Sequence, residues 1–234
     1  MVTVSRLKLA GFLGVCMASV CALSLSAGSA SARVLLFLYS KAGNAHFVGS
    51  GGAQKFETLS GKAINTTATD ALLLFLSPTL FDLHLEYLHF TAEAGAAECS
   101  NTGNATTVLV NLLGHLGLAD PGDVPAVLLL VPAGFEFTCS ALGGIIKEHV
   151  LMRGGLIGRI TKPEILKSGQ TLLEIEFKLA SRGVQAFSEF LLGNTLIKEM
   201  EQFAIGGAAF ELAGQEGTLL FHILEGTFEL EDHA

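Results

Sequence analysis

The chain has 234 residues, of which half are hydrophobic and only 15% are charged, with a formal net charge of −8. This balance excludes a disordered chain, which has few apolar residues and many charges. The acidic excess argues against a nucleic-acid partner, because a polyanion is repelled at long range. The absence of Trp, with only two Tyr, removes the usual aromatic platform for sugars.

The first 32 residues have the three-part pattern of a signal peptide. Arg6 and Lys8 form a short positive region, and an apolar stretch follows at 9–25. The sequence ASA at 30–32 fits the small-x-small pattern that signal peptidase requires before its cleavage site. We therefore predict a signal-peptide helix at 1–32 and an exported domain at 33–234. The alternative is an uncleaved anchor, because an apolar stretch of about 18 residues can span a membrane.

The predicted exported part is more acidic than the whole chain. It keeps 12 of the 14 lysines and arginines and all 22 acidic residues, so its net charge is −10. We predict that it is secreted or lies in the cell envelope, outside the cytoplasmic membrane. Its length fits one domain or two small ones, with a possible sub-domain break near 120–125, where two prolines stand close together.

Two cysteines, Cys99 and Cys139, remain after removal of the signal peptide. In an oxidising compartment two cysteines most simply form one disulfide. This bond would close a loop of about 40 residues and add about 3–4 kcal/mol to the free energy of unfolding in the chain-entropy model. The alternative is a pair of buried thiols.

Strand-like alternation of apolar and polar residues runs through most of the exported part. The segments at 80–90, 172–179 and 219–230 each place apolar side chains on one face, as a half-buried antiparallel strand does. In the last segment the alternation changes parity across Glu225 and Gly226, which predicts a β-bulge there. The residues predicted to face inward are Phe81, Leu83, Leu85, Tyr87, Leu173, Ile175, Phe177, Leu179, Leu219, Phe221 and Ile223.

Other runs are apolar on both faces, at 34–39, 72–76 and 126–131. Each is too short to cross a membrane as a helix, and each is predicted to be a strand buried on both sides. The segment at 194–203 has helical spacing, but its surroundings favour a strand. Regular short strands separated by Gly-rich turns predict an all-β fold, an antiparallel β-sandwich or a barrel-like domain.

The best metal candidate is weak and consists of Asp82, His84 and Glu86. Alternation along a strand places the three side chains on one face, where they would offer ligands to zinc or another divalent ion. The competing interpretation is the solvent face of a half-buried strand, which needs polar residues in any case. We therefore predict no metal site, no cofactor site and no catalytic motif.

From residue 99 onward the chain resembles a group of uncharacterised exported β-rich proteins of soil actinobacteria. The resemblance rests on CSNTG at 99–103, LLGHLG at 112–117, FEFTC at 135–139, RGGLIG at 153–158 and GGAAFE at 206–211. An earlier cysteine pair expected in such relatives, near Glu57 and Thr91, is missing here. The resemblance implies an exported β-rich protein and implies no activity.

Three functional hypotheses follow from the sequence. The first is a non-catalytic cell-envelope or secreted module, since no site motif stands out. The second is a carrier of a small apolar ligand, because the 16 Phe and the two-sided apolar runs could line a cavity in a barrel. The third is a secreted hydrolase with a dispersed Ser-His-Asp site, whose members meet only in space.

Overall fold

The computed structural model describes residues 34–39, 46–92, 96–103, 106–120, 124–165, 171–198, 201–223 and 228–233. The predicted signal peptide lies outside these ranges. Most of the described residues lie in β-strands, and their one helical element is a 3-10 turn at Leu142–Gly144, which confirms the all-β prediction. Of the two architectures that the sequence left open, the structure has the closed barrel. Within the described ranges, no helix is long and apolar enough to cross a membrane.

The strands follow one another with short turns. The first eleven are β1 (Val34–Tyr39), β2 (His46–Gly51), β3 (Gln54–Thr58), β4 (Ala63–Thr66), β5 (Ala68–Ser77), β6 (Leu80–Leu88), β7 (Thr91–Ala92), β8 (Ala97–Ser100), β9 (Thr107–Asp120), β10 (Val124–Leu130) and β11 (Phe135–Ala141). The others are β12 (Ile146–Arg153), β13 (Gly155–Ile165), β14 (Thr171–Phe177), β15 (Leu179–Ser181), β16 (Val184–Gln185), β17 (Glu189–Leu192), β18 (Thr195–Ile197), β19 (Gln202–Ile205), β20 (Glu211–Ile223) and β21 (Phe228–His233).

Eight antiparallel strands close a first ring. Each pairs with the next in the order β2, β5, β6, β9, β10, β13, β14 and β20, and β20 returns to β2. Closure leaves no strand of the ring with an unpaired edge, which removes a route to aggregation. Strands β1 and β21 pair with each other as a separate two-stranded sheet.

A second ring of eight antiparallel strands continues the first. Its order is β3, β4, β7, β8, β11, β12, β19 and β20, and β20 pairs with β3. Six strands of the second ring adjoin their first-ring counterpart in the chain, separated by a short break, whereas β19 follows β14 only after the strands β15 to β18. β20 runs through both rings. The result is one up-and-down barrel. Its strands are interrupted at the same height along the barrel, between the first ring and the second.

β20 passes between the two rings at Gly217. This residue has a φ of 152°, a conformation that favours glycine, and a Cβ here would lie 2.7 Å from Gln54 Cγ. On one side of it Glu216 pairs with Lys55 of the second ring, while Gly217 itself pairs with Phe177 of the first. A glycine at this position therefore lets one strand serve both rings.

Phenylalanine side chains fill the interior of the first ring of strands. They lie over glycines of the neighbouring strand. Phe81 stands opposite Gly114, where a Cβ would lie 2.1 Å from the Phe81 ring. Phe221 stands opposite Gly49 in the same way, at 2.4 Å. The predicted inward set is confirmed for Phe81, Leu83, Leu85, Tyr87, Leu173, Ile175, Phe177, Leu219 and Phe221, all buried. The interior of the first ring is therefore packed with side chains, as a narrow eight-stranded barrel allows.

The run at 126–131 is buried on both faces, as predicted. Val127 and Leu129 belong to the barrel core, while Ala126 and Leu128 belong to a second cluster outside the barrel. That cluster is covered by the excursion of the chain between β14 and β19, whose Phe190 is fully buried there. The excursion is anchored because β17 pairs with the end of β9.

The run at 72–76 differs from the prediction. Leu73 and Phe75 face the barrel core, but Leu72 and Leu76 are 41% and 45% exposed on the outer wall. Alternation alone cannot reveal whether a second layer covers a strand, and in the described residues no layer covers this one. The run at 34–39 forms the strand β1. The burial of its side chains lies outside what the structure describes and stays a prediction.

Within the segment at 194–203 the described residues include β18 and the start of β19, as favoured, and residues 199–200 lie outside the described ranges. The possible break at 120–125 falls between β9 and β10, which pair with each other from Ala119 and Val124 onward. Residues 33–233 form one compact unit. The predicted bulge at Glu225 and Gly226 lies outside the described residues.

Cys99 and Cys139 form a disulfide, and the alternative of two free thiols is wrong. The two residues occupy opposite positions on β8 and β11 of the second ring, 40 residues apart in sequence, and both are buried. Disulfides persist in oxidising compartments, which favours a location outside the cytoplasm. Export through the signal peptide stays a prediction.

Candidate functional site

Among the described residues, nothing closes the barrel at the far end of the second ring, which we call the mouth. The turns at 59–62, 142–145 and 206–210 lie at this end, because each joins two neighbouring strands of the second ring. Alternation along those strands points every second side chain into the lumen. The residues next to the turns therefore decide whether the lumen is closed or open.

A cavity of about 550 Å³ occupies the mouth. Its floor and walls are mostly aliphatic, since Ile64, Val150 and Ile205 project into it from β4, β12 and β19. Cys139 also lines it, so the disulfide is part of the wall and fixes β8 against β11 there. The remaining lining residues are Gly61, Lys62, Ala63, Ala92 and Glu148.

Two charged side chains, Lys62 and Glu148, border the cavity at its rim. A third, Glu211, lies close to Lys62 and accepts hydrogen bonds from the Ser60 amide at 2.9 Å and the Ser60 hydroxyl at 2.8 Å. Partial burial opposes ionisation of Glu211. The hydrogen bonds with Ser60, a further one with Thr58 and the positive charge of Lys62 outweigh this effect, so the pKa of Glu211 is lowered. The rim is thus polar on one side of an apolar cavity.

A layer of aromatic side chains separates the mouth from the interior. Phe56 packs edge-on against Phe90 at 5.4 Å between ring centroids, and Phe90 against Phe137 at 5.3 Å. Phe203 stacks on Phe56 at 6.1 Å. These offset and edge-to-face contacts are the favoured geometries for aromatic pairs. The aromatic layer therefore forms a rigid base beneath the cavity.

A buried polar cluster lies beneath the aromatic layer and consists of Gln54, Thr69, Tyr87, Glu201 and Gln215. The Gln54 amide donates to the Thr69 hydroxyl at 3.0 Å, and the Gln215 amide donates to Gln54 Oε1. All five side chains are at most 4% exposed. The cluster is enclosed by core residues and borders a void of only about 10 Å³, the size of one water molecule.

Glu201 is the chemically unusual member of this cluster. Burial raises its pKa to about 8, so it is mostly a neutral acid at neutral pH. Burial also raises the pKa of Tyr87, as does the adjacent Glu201, while a hydrogen bond with Gln215 opposes this. No described residue bonds to Glu201 Oε2 or Gln215 Oε1. Because the void is so small, this cluster holds no substrate in this conformation.

The metal candidate residues Asp82, His84 and Glu86 lie on the outer wall of β6. His84 Nδ1 is 2.6 Å from Asn111 Oδ1, and in register Glu86 lies beside Leu109. Across the described ranges, no group of three or more His, Cys, Asp or Glu side chains is arranged to hold a metal ion. The three residues share a wall without forming a binding centre.

The described histidines that hydrogen-bond to side chains contact hydroxyl or amide groups. His89 Nδ1 lies 3.0 Å from the Thr67 hydroxyl, and His149 Nδ1 lies 3.4 Å from the Thr138 hydroxyl. No histidine in the described part of the chain pairs with a carboxylate. A Ser-His-Asp arrangement is therefore not assembled there, and the hydrolase hypothesis stays a prediction.

Comparison with known proteins found no matching family model, no matching curated protein and no matching solved structure.

Neither the mouth cavity nor the buried cluster was predicted from the sequence as a site. A signal for the cluster does exist, since Glu201 continues the inward alternation of Phe203 and Ile205. A charged residue at an inward position of a strand is rare without a partner. The mouth lining, by contrast, consists of ordinary aliphatic residues that carry no local signal.

Proposed function

We propose that this protein is an exported, non-catalytic binding module that holds a small apolar molecule in the mouth of its barrel. The observation that carries the proposal is the 550 Å³ cavity lined by Ile64, Val150 and Ile205. Ligand pockets are typically about 300–1,000 Å³, mostly apolar and bordered by a few polar groups. The proposal unites the first and second hypotheses drawn from the sequence.

The rest of the lumen supports placing the ligand at the mouth. The first ring is filled by its own phenylalanines, and the void beside Glu201 holds no more than one water molecule. Eight-stranded barrels either fill their interior with side chains or hold one small ligand. This barrel is filled along most of its length and open at one end.

The lining indicates the chemical class of ligand. An apolar body would contact the aliphatic walls and the disulfide, where burial of apolar surface supplies the affinity. Lys62 and Glu148 at the rim would face one polar or charged end of the molecule. A compact molecule with an apolar body and one polar end fits both features.

Filling the cavity tests the proposal. Ala92 lines the cavity, so Ala92→Phe should occupy part of its volume. With the neutral fluorescent probe N-phenyl-1-naphthylamine, we expect saturable binding to the unmodified protein and an affinity at least about tenfold lower for Ala92→Phe. Leu72→Phe is the matched control, since it adds the same ring to the exposed outer wall.

Two results would contradict the proposal. Absence of saturable probe binding to the unmodified protein would favour a purely structural envelope module. Equal loss of affinity in Ala92→Phe and Leu72→Phe would place the probe away from the mouth. Native mass spectra of protein purified from its host give an independent measurement, in which a bound molecule appears as extra mass.

A further inference from the structure

The hairpin between β11 and β12 carries the two most exposed large apolar side chains of the described residues. Ile145 is 83% exposed and Leu142 is 69% exposed, and Ile146 beside them is 49% exposed. We call these three residues the apolar tip. Isolated exposed apolar residues are ordinary, but three within five positions of one hairpin concentrate apolar surface there, and such surfaces mark interaction sites.

The backbone of the apolar tip is unusual as well. Leu142 has a φ of 51°, and Gly143 follows with a φ of 66°. A left-handed conformation is uncommon for any residue with a Cβ, and glycine or asparagine would adopt it more easily. The leucine therefore keeps an apolar side chain in solvent at a conformational cost, and strain of this kind concentrates at functional sites.

The apolar tip belongs to the mouth. The same hairpin contributes Cys139, Glu148 and Val150 to the cavity lining. The turn between β3 and β4, which also lines the cavity, carries Leu59 with 53% of its side chain exposed. The apolar tip and Leu59 thus lie on two of the turns at the mouth.

We propose that the apolar tip inserts into a lipid bilayer and that the mouth exchanges its ligand with that bilayer. The second part rests on the proposed function, while insertion itself does not. A protein partner is less suitable, because a stable interface needs about 800 Å² on each side. The tip is followed directly by Lys147 and Glu148, so the apolar surface does not extend that far. A bilayer requires no complementary shape and accepts a small protruding group.

Cations and acids occur in equal number near the tip and at the mouth. Lys147 follows Ile146 directly, and Lys62 lies on the other turn that lines the mouth; both side chains are exposed. At the depth of the lipid head groups these cations would meet phosphates and any anionic lipid. Of the nearby acids, Glu148 lines the cavity and Glu211 is bonded to Ser60. Because the predicted exported part has a net charge of −10, an anionic bilayer repels it at long range, and neutral vesicles should bind at least as much protein as anionic ones.

A single-tryptophan experiment tests insertion, because the chain contains no Trp of its own. Ile145→Trp places the fluorophore at the tip, and Leu72→Trp places it on the exposed outer wall as the control. On addition of phosphatidylcholine vesicles, with or without phosphatidylglycerol, the emission of Ile145→Trp should shift to shorter wavelength. That of Leu72→Trp should not change.

A flotation experiment without the fluorophore gives the magnitude. Replacing both Leu142 and Ile145 with Ser should lower the vesicle-bound fraction at least about tenfold, since each substitution removes an aliphatic side chain that the bilayer would bury. Vesicle binding that is absent in the unmodified protein, or that survives the double substitution, overturns the inference. Binding of N-phenyl-1-naphthylamine in the absence of vesicles depends only on the cavity. Failure of the proposed function is therefore distinguished from failure of membrane insertion.

Discussion

The two rings of the barrel have the same strand order but differ in what fills them. In the first ring Phe81 and Phe221 lie across glycines and leave no room for a ligand. In the second ring an aromatic layer around Phe56 separates a buried polar cluster from an open cavity. Strand pairing is alike in both, so pairing does not decide which ring can bind.

The difference teaches that closing a sheet and filling its interior are separate properties. Closure depends on backbone hydrogen bonds, whereas filling depends on the size of every second side chain. Near the mouth, the inward positions carry Ala92, Ile64 and Val150 instead of phenylalanine, and the lumen opens. Binding chemistry is therefore expected where large inward side chains cease.

The largest expected effect is a loss of packing in the first ring. Phe81→Ala should lower the free energy of unfolding by about 3–5 kcal/mol, because it leaves a cavity in a fully packed core. Ile205→Ala at the mouth should cost no more than about 2 kcal/mol, since Ile205 already borders open space. Urea unfolding measures both values. Equal losses would contradict the contrast between a filled ring and an open one.

The disulfide should stabilise the second ring by an intermediate amount. Replacing Cys99 and Cys139 together with Ala should reduce the free energy of unfolding by about 3–4 kcal/mol, as expected for a closed loop of this length. Hydrogen exchange should show faster opening of β8 and β11 than of first-ring strands. The unmodified protein treated with reductant is the control, and unchanged stability in both samples would contradict the prediction.

A third expected effect is a pH dependence from Glu201. Its pKa is raised from 4.5 to about 8 by burial, so the unfolded chain releases this proton at a lower pH than the folded protein. The stability that the group contributes is complete below about pH 4.5 and is lost as the pH rises to about 8. The substitution Glu201→Gln keeps the shape of the side chain and removes its ionisable carboxyl group.

Urea unfolding across this pH range should therefore show the unmodified protein losing stability relative to Glu201→Gln. Glu86→Gln on the outer wall controls for the loss of a carboxylate without burial. Parallel pH profiles for the unmodified protein and Glu201→Gln would show that Glu201 is not buried as a neutral acid.

The sequence predicted the strands of the barrel better than it predicted the site. Alternation identified the inward faces of β6 and β14, including Phe81 and Leu173, because the period of two is visible in the residues themselves. It fails at Leu72, because apolar residues on both faces predict burial while the structure leaves this side chain exposed. It also missed Glu201, whose segment had both helical and strand-like spacing. In each failure the deciding factor was a neighbouring element from another part of the chain.

By itself, the sequence determined the all-β class, most inward faces and the pairing of the only two cysteines in the predicted exported part. These are local or compositional properties of the chain. Tertiary structure alone decided ring closure, the common level of the strand breaks, the open mouth and the burial of Glu201. Each depends on contacts between distant segments, as when Gln215 bonds to Gln54 across 161 residues. Register between such segments is set by the packing of the whole barrel, which no single strand encodes.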